Sequence, residues 1–222
     1  MAPTEFLSGL MAIVLLDLVL AGDNAIVIAL AARNLPKALQ KRAVLWGTVG
    51  AVAVRIALSA VVIWLLRLPG LMLAGGALLL PIAWKLLKQG DSSHGVSAAD
   101  SFWSALRTIV VADALMGVDN VLAIAGASHG NLPLLALGLL ISVPLVVWGS
   151  TLILRLIERF PVIIYLGAAA IAWTAGRMIA HDHLLHGWFA AHPWTSHLLE
   201  IALVALVCGG GWLARRRQAS AS

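Results

Sequence analysis

Long apolar runs are the feature that most constrains what this sequence can fold into. Each run contains few charged side chains and is about as long as the twenty residues that a helix needs to cross a bilayer. The seven runs are Phe6–Ala32, Ala43–Leu66, Gly70–Leu87, Phe102–Ala127, Leu132–Ile157, Val162–Ala180 and Leu198–Ala214. They lack the alternation of apolar and polar residues that is typical of a membrane barrel. The sequence therefore predicts an all-α integral membrane protein, with residues 1–222 forming a single transmembrane domain of seven helices.

The composition excludes an ordinary soluble domain and changes the meaning of the positive charge. Hydrophobic residues make up 61% of the chain and charged residues only 11%, whereas about a quarter of a soluble domain is charged. The net charge of +5 would suggest nucleic-acid binding in a soluble protein. In a membrane protein, however, lysines and arginines in loops set the orientation. We therefore expect membrane lipid as a partner and no nucleic acid. The single cysteine, Cys208, provides neither a disulfide framework nor a metal cluster.

The distribution of basic residues predicts how the chain is oriented. With seven spans, twelve lysines and arginines fall on one side of the membrane, and only Arg67 and Arg177 fall on the other. Because basic residues concentrate in cytoplasmic loops, we expect the N-terminus outside and the C-terminus, with Arg215–Arg217, in the cytoplasm.

A motif of eight residues occurs twice. The stretch DLVLAGDN at residues 17–24, in the first helix, returns as DALMGVDN at residues 113–120, in the fourth. We interpret residues 6–88 and 101–180 as two copies of a three-helix repeat, with the additional C-terminal helix at 198–214 outside it. Because three is an odd number, the second copy would cross the membrane in the opposite direction. Such inverted repeats are typical of many secondary transporters.

The polar residues of the doubled motif are candidate ligands for a cation. A charged side chain at the bilayer centre costs at least about 2.5–3.5 kcal/mol, so it needs a partner and usually has a function. The candidate ligands are Asp17, Asp23, Asn24, Asp113, Asp119 and Asn120. A set with oxygen ligands alone suits hard divalent cations such as Mn²⁺, Ca²⁺ or Mg²⁺, whereas Zn²⁺ prefers nitrogen or sulfur. Protons can replace an ion on closely spaced buried carboxylates, so exchange of ion for protons is chemically feasible.

Helix geometry and one arginine bear on the same site. Asp17 and Asp23 are six residues apart, about 120° around an ideal helix, so both can point at one ion only if the helix is deformed. Since glycine weakens a helix, we predict a bent or unwound segment near Gly22–Asn24 and another near Gly117–Asn120. Arg55, in the middle of the second helix, is a candidate gate or counter-charge. The alternative is that Arg55 extends to an interface.

The two Asp-x₅-Asp-Asn motifs, in the first and fourth of seven helices, resemble the TerC family and in particular its short YjbE-like branch. The stretch WGTVGAVAVRIAL at residues 46–58 is similar to that branch, and the resemblance covers nearly the whole chain. It implies the LysE-type transporter superfamily, the bacterial plasma (inner) membrane and, for several members, export of Mn²⁺ from the cytoplasm. By motif match, the acidic residues of the family fall on Asp17, Asp23, Asp113 and Asp119, with Asn24 and Asn120 beside them.

The residues and the resemblance together predict a secondary transporter that exports a divalent cation, with Mn²⁺ as the first candidate. Two alternatives stay open: an exporter of a cationic amino acid or other organic cation, and a non-transporting membrane scaffold linked to tellurium resistance. We do not expect the protein to be an enzyme, because the sequence has no HExxH motif and no nucleophile elbow. We also expect no cofactor besides the transported ion. A homo-oligomer is compatible with the sequence, but no feature requires one.

The segment 181–197 is rich in histidine and tryptophan. We interpret it as a polar loop at the membrane interface, where tryptophans are common. Metal capture or pH sensing by its histidines is the alternative.

Overall fold

The structure is a computed structural model, and it describes residues 3–20, 22–65, 68–88, 98–128 and 131–219. Within these ranges the chain forms nine helices and no strand. They are α1 (Pro3–Leu20), α2 (Gly22–Ala32), α3 (Lys37–Leu65), α4 (Leu71–Lys88), α5 (Ala98–Ala127), α6 (Leu132–Arg159), α7 (Val162–His181), α8 (His186–Ala191) and α9 (Pro193–Ala219).

Six of these helices, α3 to α7 and α9, are long and apolar enough to cross a membrane. The pair α1 and α2 counts as a seventh span if it is one broken crossing, since Phe6–Asp17 and Gly22–Ala32 are bent by 49° relative to each other. The predicted all-α integral membrane fold is therefore confirmed. The short helix α8 lies inside the predicted loop 181–197 and was not predicted.

The structure treats the two predicted helix breaks differently. In the first motif, α1 ends at Leu20 and α2 begins at Gly22, so the break lies just before Gly22. Ala21, between them, lies outside the described residues. The predicted second break is wrong, because α5 continues through Gly117 and Asn120. One glycine costs a helix only about 1 kcal/mol, and the packing of α5 against α1, α2 and α3 outweighs that cost.

The helices divide into two compact units. Unit 1 comprises Met1–Leu65 and Ala98–Arg155, and therefore contains α1, α2, α3, α5 and most of α6. Unit 2 comprises Leu66–Ser97 and Leu156–Ser222, and contains α4, α7, α8 and α9. Each predicted repeat thus contributes its first two spans to unit 1 and its third span to unit 2. The inverted relation between the repeats stays a prediction.

Apolar side chains from four helices form the core of unit 1. Ile13 on α1, Val52 on α3 and Ile124 on α5 pack with Leu134 and Leu139 on α6, and all five are buried. These contacts bring together helices that are far apart in the sequence. The core therefore fixes the motif helices α1 and α5 against α3 and α6.

The two motif helices are held by similar contacts with glycine. A side-chain carbon at Gly138 on α6 would overlap the side chain of Ile13, and one at Gly47 on α3 would lie 2.7 Å from Cδ1 of Ile109. Small residues of this kind let membrane helices approach closely. Ile13 and Ile109 each lie four residues, about one helical turn, before the first aspartate of their motif. The contacts thus fix corresponding positions of both motif helices.

In unit 2, a carboxylate connects the end of α7 to the start of α4. The Asp182 carboxylate is 1% exposed and accepts hydrogen bonds from the backbone N–H groups of Gly70, at 3.1 Å, and of Leu73 and Leu184, both at 2.9 Å. Gly70 has a φ of 85°, a conformation that glycine adopts without strain. Burial disfavours the charged form, but the backbone donors prevail and hold the pKa of the Asp182 carboxyl below its usual range. Asp182 therefore acts as a cap for the N-terminus of α4.

Candidate cation site

An arginine joins the equivalent aspartates of the two motif copies inside unit 1. Arg55, on α3, is 4% exposed, and Asp17 and Asp113 are 1% and 5% exposed. Arg55 Nη1 donates to Asp17 Oδ1, on α1, and Arg55 Nη2 donates to Asp113 Oδ1, on α5, at 2.5 Å. Two carboxylates thus share one guanidinium group, whose planar fork suits carboxylate oxygens.

A hydroxyl from α6 completes the surroundings of Asp17. The Ser142 Oγ atom is buried within hydrogen-bond distance of Asp17 Oδ2, and it lies 2.8 Å from the Leu139 carbonyl oxygen. A hydroxyl donates only one proton, and a bond to a charged acceptor is roughly twice as strong as a neutral one. The hydroxyl proton therefore points to Asp17 when that carboxyl group is ionised. Sequence reasoning missed Ser142, although a hydroxyl within an apolar span was an available signal.

Several buried polar atoms of unit 1 have no hydrogen-bond partner among the described residues. They are Asp113 Oδ2, Arg55 Nε, Asn24 Oδ1 and Nδ2, and Ser150 Oγ. A buried polar group without a partner costs about 1–3 kcal/mol. Asp113 Oδ2 and Asn24 Oδ1 are acceptors, and neither has a donor among the described residues.

The other predicted ligands lie at different places along α2 and α5. Asp23 is half-buried in the first turn of α2, where its Oδ1 accepts from the Asn24 backbone N–H at 2.9 Å. Asn24 is 2% exposed. Asn120 is half-buried on α5, and the side chain of Asp119 lies outside the described part of the chain.

The structure therefore joins Asp17 and Asp113 through Arg55. Among the side chains that it describes, no three histidine, cysteine, aspartate or glutamate residues form a group that could hold a metal ion.

Unit 2 contains a separate cavity of about 440 Å³, bounded in part by Arg177, His181, His197 and Glu200. Glu200 is 3% exposed, and its Oε2 lies 3.2 Å from His197 Nδ1. Among the described side chains, the histidines of segment 181–197 also form no group of three or more residues that could hold a metal ion. The interfacial interpretation of that segment stays a prediction.

The fold and the buried ion pairs define the class of protein: a multi-span integral membrane protein with paired charges inside its helical domain. The sequence matches the family described as the integral membrane protein TerC family over residues 2–219. The chain therefore belongs to the TerC family, as its doubled motif predicted.

Three similar proteins are described as membrane proteins, and each matches most of this chain. The chain is 44% identical to the membrane protein YjbE of Bacillus subtilis over 203 residues, which cover 91% of this chain and 93% of YjbE. It is 26% identical to the inner membrane protein YoaE of Escherichia coli K12 over 87% of this chain and 42% of YoaE. It is 23% identical to the membrane protein YkoY of Bacillus subtilis, over 91% of this chain and 70% of YkoY. The chain thus spans less than half the length of YoaE. No solved structure matches it.

Proposed function

We propose that this protein is a secondary transporter that exports a divalent cation, with Mn²⁺ as the first candidate, across the bacterial inner membrane. The observation that carries the proposal is that Asp17 and Asp113, from equivalent positions of the doubled motif, both pair with the buried guanidinium group of Arg55. The direction of transport follows from the resemblance to exporters in the TerC family.

The charges inside unit 1 favour a cation as the cargo. Asp17 and Asp113 carry two negative charges when ionised, and Arg55 carries one positive charge. Buried charge without compensation costs several kcal/mol, so a further positive charge is favoured here. Carboxylate oxygens, with the carbonyl oxygen of Asn24, which has no partner among the described residues, suit a hard ion such as Mn²⁺ better than a softer one.

An organic cation is the second candidate, and the position of Arg55 favours it. A guanidinium group already fits between Asp17 and Asp113 and donates one hydrogen bond to each. A cationic amino acid with a guanidinium or ammonium group would offer the same donors. This candidate and the divalent ion would use the same two carboxylates.

Flux into and out of liposomes tests the proposal. The purified protein would be reconstituted with and without a proton gradient, and movement of Mn²⁺, Mg²⁺, Ca²⁺, Zn²⁺, arginine and lysine would be followed. We expect saturable Mn²⁺ flux that Asp17→Asn and Asp113→Asn abolish. Glu158→Gln, at an exposed carboxylate of α6, is the matched control and should behave as wild type.

Each outcome of this assay has a definite meaning. Folded protein that moves none of the four ions would contradict the divalent-cation proposal. Arginine or lysine flux that depends on Asp17 and Asp113 would then establish the second candidate. A dependence of Mn²⁺ flux on the proton gradient would identify protons as the coupling ion.

A further inference from the structure

We propose that Arg55 is a built-in counter-cation, which occupies the cargo position when cargo is absent and is displaced from it as cargo binds. The inference rests on the proposed function of Asp17 and Asp113 as the cargo site. It is motivated by the placement of the guanidinium group, which takes one oxygen from each carboxylate. These are the oxygens that an ion bridging the two motif copies would use.

The guanidinium group and a metal ion exclude each other at this position. Hard divalent ions bind oxygen ligands at about 2.0–2.6 Å, and Arg55 Nη2 lies 2.5 Å from Asp113 Oδ1. A metal ion between the two carboxylates would overlap the guanidinium group. The two positive charges would also repel each other strongly in a medium of low dielectric constant. Cargo binding is therefore competitive with the ion pairs of Arg55.

The two aspartates are not equivalent, and the difference sets the order of exchange. Asp17 has both oxygens engaged, one by Arg55 and one by Ser142. Asp113 Oδ2 has no hydrogen-bond partner among the described residues, so a cation can bind this oxygen without displacing any described donor. Arg55 then loses its bond to Asp113, while the bond to Asp17 can persist until the ion bridges both.

Few described contacts besides the two carboxylates hold the guanidinium group of Arg55. Its Nε atom makes no hydrogen bond to the described residues. Gly117 on α5 lies beside this atom. A side-chain carbon added at Gly117 would lie 3.8 Å from Arg55 Nε, and no described atom from another part of the structure would lie closer. The side chain is therefore fixed mainly by the two carboxylates, which are the groups that a cargo ion would take over.

A counter-cation has opposite effects on binding and on net transport. It competes with cargo, so its removal should tighten cargo binding. It also compensates the carboxylates when cargo has left, so its removal should trap the empty carrier with unpaired buried charge. Net export needs return of the empty carrier, whereas exchange of internal for external cargo does not.

The experiment compares Arg55→Ala and Arg55→Lys with wild type. Arg42→Ala, at an exposed position of the same helix, is the matched control. Mn²⁺ binding would be measured in nanodiscs from the spin-resonance signal of the free ion. Net Mn²⁺ efflux and exchange of isotopically labelled Mn²⁺ would be measured in liposomes. The fold of each variant would be checked by circular dichroism.

For Arg55→Ala we expect Mn²⁺ binding at least about tenfold tighter, equivalent to about 1.4 kcal/mol, with net efflux lost and exchange retained. Arg55→Lys keeps the charge but lacks the planar fork, so it should bind Mn²⁺ more tightly than wild type and retain part of the net efflux. Arg42→Ala should match wild type in all three measurements.

Two results would overturn the inference. One is a folded Arg55→Ala protein with weaker Mn²⁺ binding and with efflux and exchange lost together, because Arg55 would then be a structural support. The second result applies if Arg55→Ala does not fold: Mn²⁺ binding by Arg55→Lys that is unchanged or weaker than in wild type. A wild-type protein without Mn²⁺ binding or flux would contradict the proposed function itself, and this differs from defects confined to Arg55 variants.

Discussion

The double substitution Asp17→Asn with Asp113→Asn tests the charge balance of the buried network. Arg55 is 4% exposed and pairs with both aspartates. Replacing one aspartate leaves one carboxylate opposite one guanidinium group, which is a balanced pair. Replacing both leaves the guanidinium group buried without a counter-charge. The second substitution should therefore be far more damaging than the first.

The expected losses follow from the hydrogen bonds and charges. In each single variant the asparagine carbonyl oxygen can still accept from Arg55. Only the charge-assisted part of one bond is lost, which we estimate at about 1–2 kcal/mol. Removing the last partner of a buried charge costs about 3–5 kcal/mol. The double variant should thus be destabilised by about 4–7 kcal/mol, against about 2–4 kcal/mol if the single losses were additive.

Loss of helical circular dichroism on heating in detergent micelles would measure these differences. For a chain of this size, 1 kcal/mol corresponds to a shift of about 2–4 °C in Tm. The single variants should shift by a few degrees and the double variant by on the order of 10 °C or more. Adding Arg55→Met to the double variant removes the unpaired charge and should recover much of the loss. Additive losses, or no recovery with Arg55→Met, would refute the charge-balance reasoning.

Three further substitutions test other parts of the structure. Ser142→Ala removes the hydroxyl on Asp17 and should weaken Mn²⁺ binding in nanodiscs by about tenfold, whereas Ser150→Ala, at a buried hydroxyl without a described partner, should not. Gly138→Ala should cost about 1–3 kcal/mol in thermal unfolding, because the new methyl group overlaps Ile13, and adding Ile13→Ala should recover part of it. Asp182→Ala should cost about 1–3 kcal/mol at neutral pH. Because the folded pKa of Asp182 lies below the ordinary 3.8, its contribution is complete above pH 3.8 and is lost as the pH falls through the folded value. The difference in the free energy of unfolding between wild type and Asp182→Ala should therefore be smaller in acid than at neutral pH. An equal difference in acid and at neutral pH would contradict the role of Asp182 as a cap.

Features that depend on local sequence were predictable. A run of twenty apolar residues has few alternatives to a membrane-spanning helix, and the helices largely follow the predicted spans. A partner for Asp17 and for Asp113 could be expected, because charged residues inside a membrane need partners. Repetition of one motif in two helices pointed to the two residues that now share Arg55.

Features that depend on tertiary contacts were not predictable from local patterns. The bonds of Asp17 to Arg55 and Ser142 join residues 38 and 125 positions apart. The sequence marks Arg55 as a candidate counter-charge, but it does not indicate which aspartates Arg55 and Ser142 bind. The predicted break at Gly117 failed for a related reason. The preference of one glycine is small, and the contacts of α5 with other helices decide its conformation.

The buried network contains two aspartates but only one arginine, and the contacts of α3 and α6 show which residue takes the place of a second arginine. Gly47 and Gly138 pack on the corresponding isoleucines of α5 and α1, so the two glycines can be aligned with each other. In this alignment Val146 of α6 corresponds to Arg55 of α3. A second arginine there would pair every carboxylate charge with a guanidinium charge. With Arg55 alone, the ionised network keeps one more negative charge than positive charges. Because unbalanced charge inside a helical domain is costly, the proposed site would attract a further cation while both carboxylates are ionised, and a site with two arginines would not.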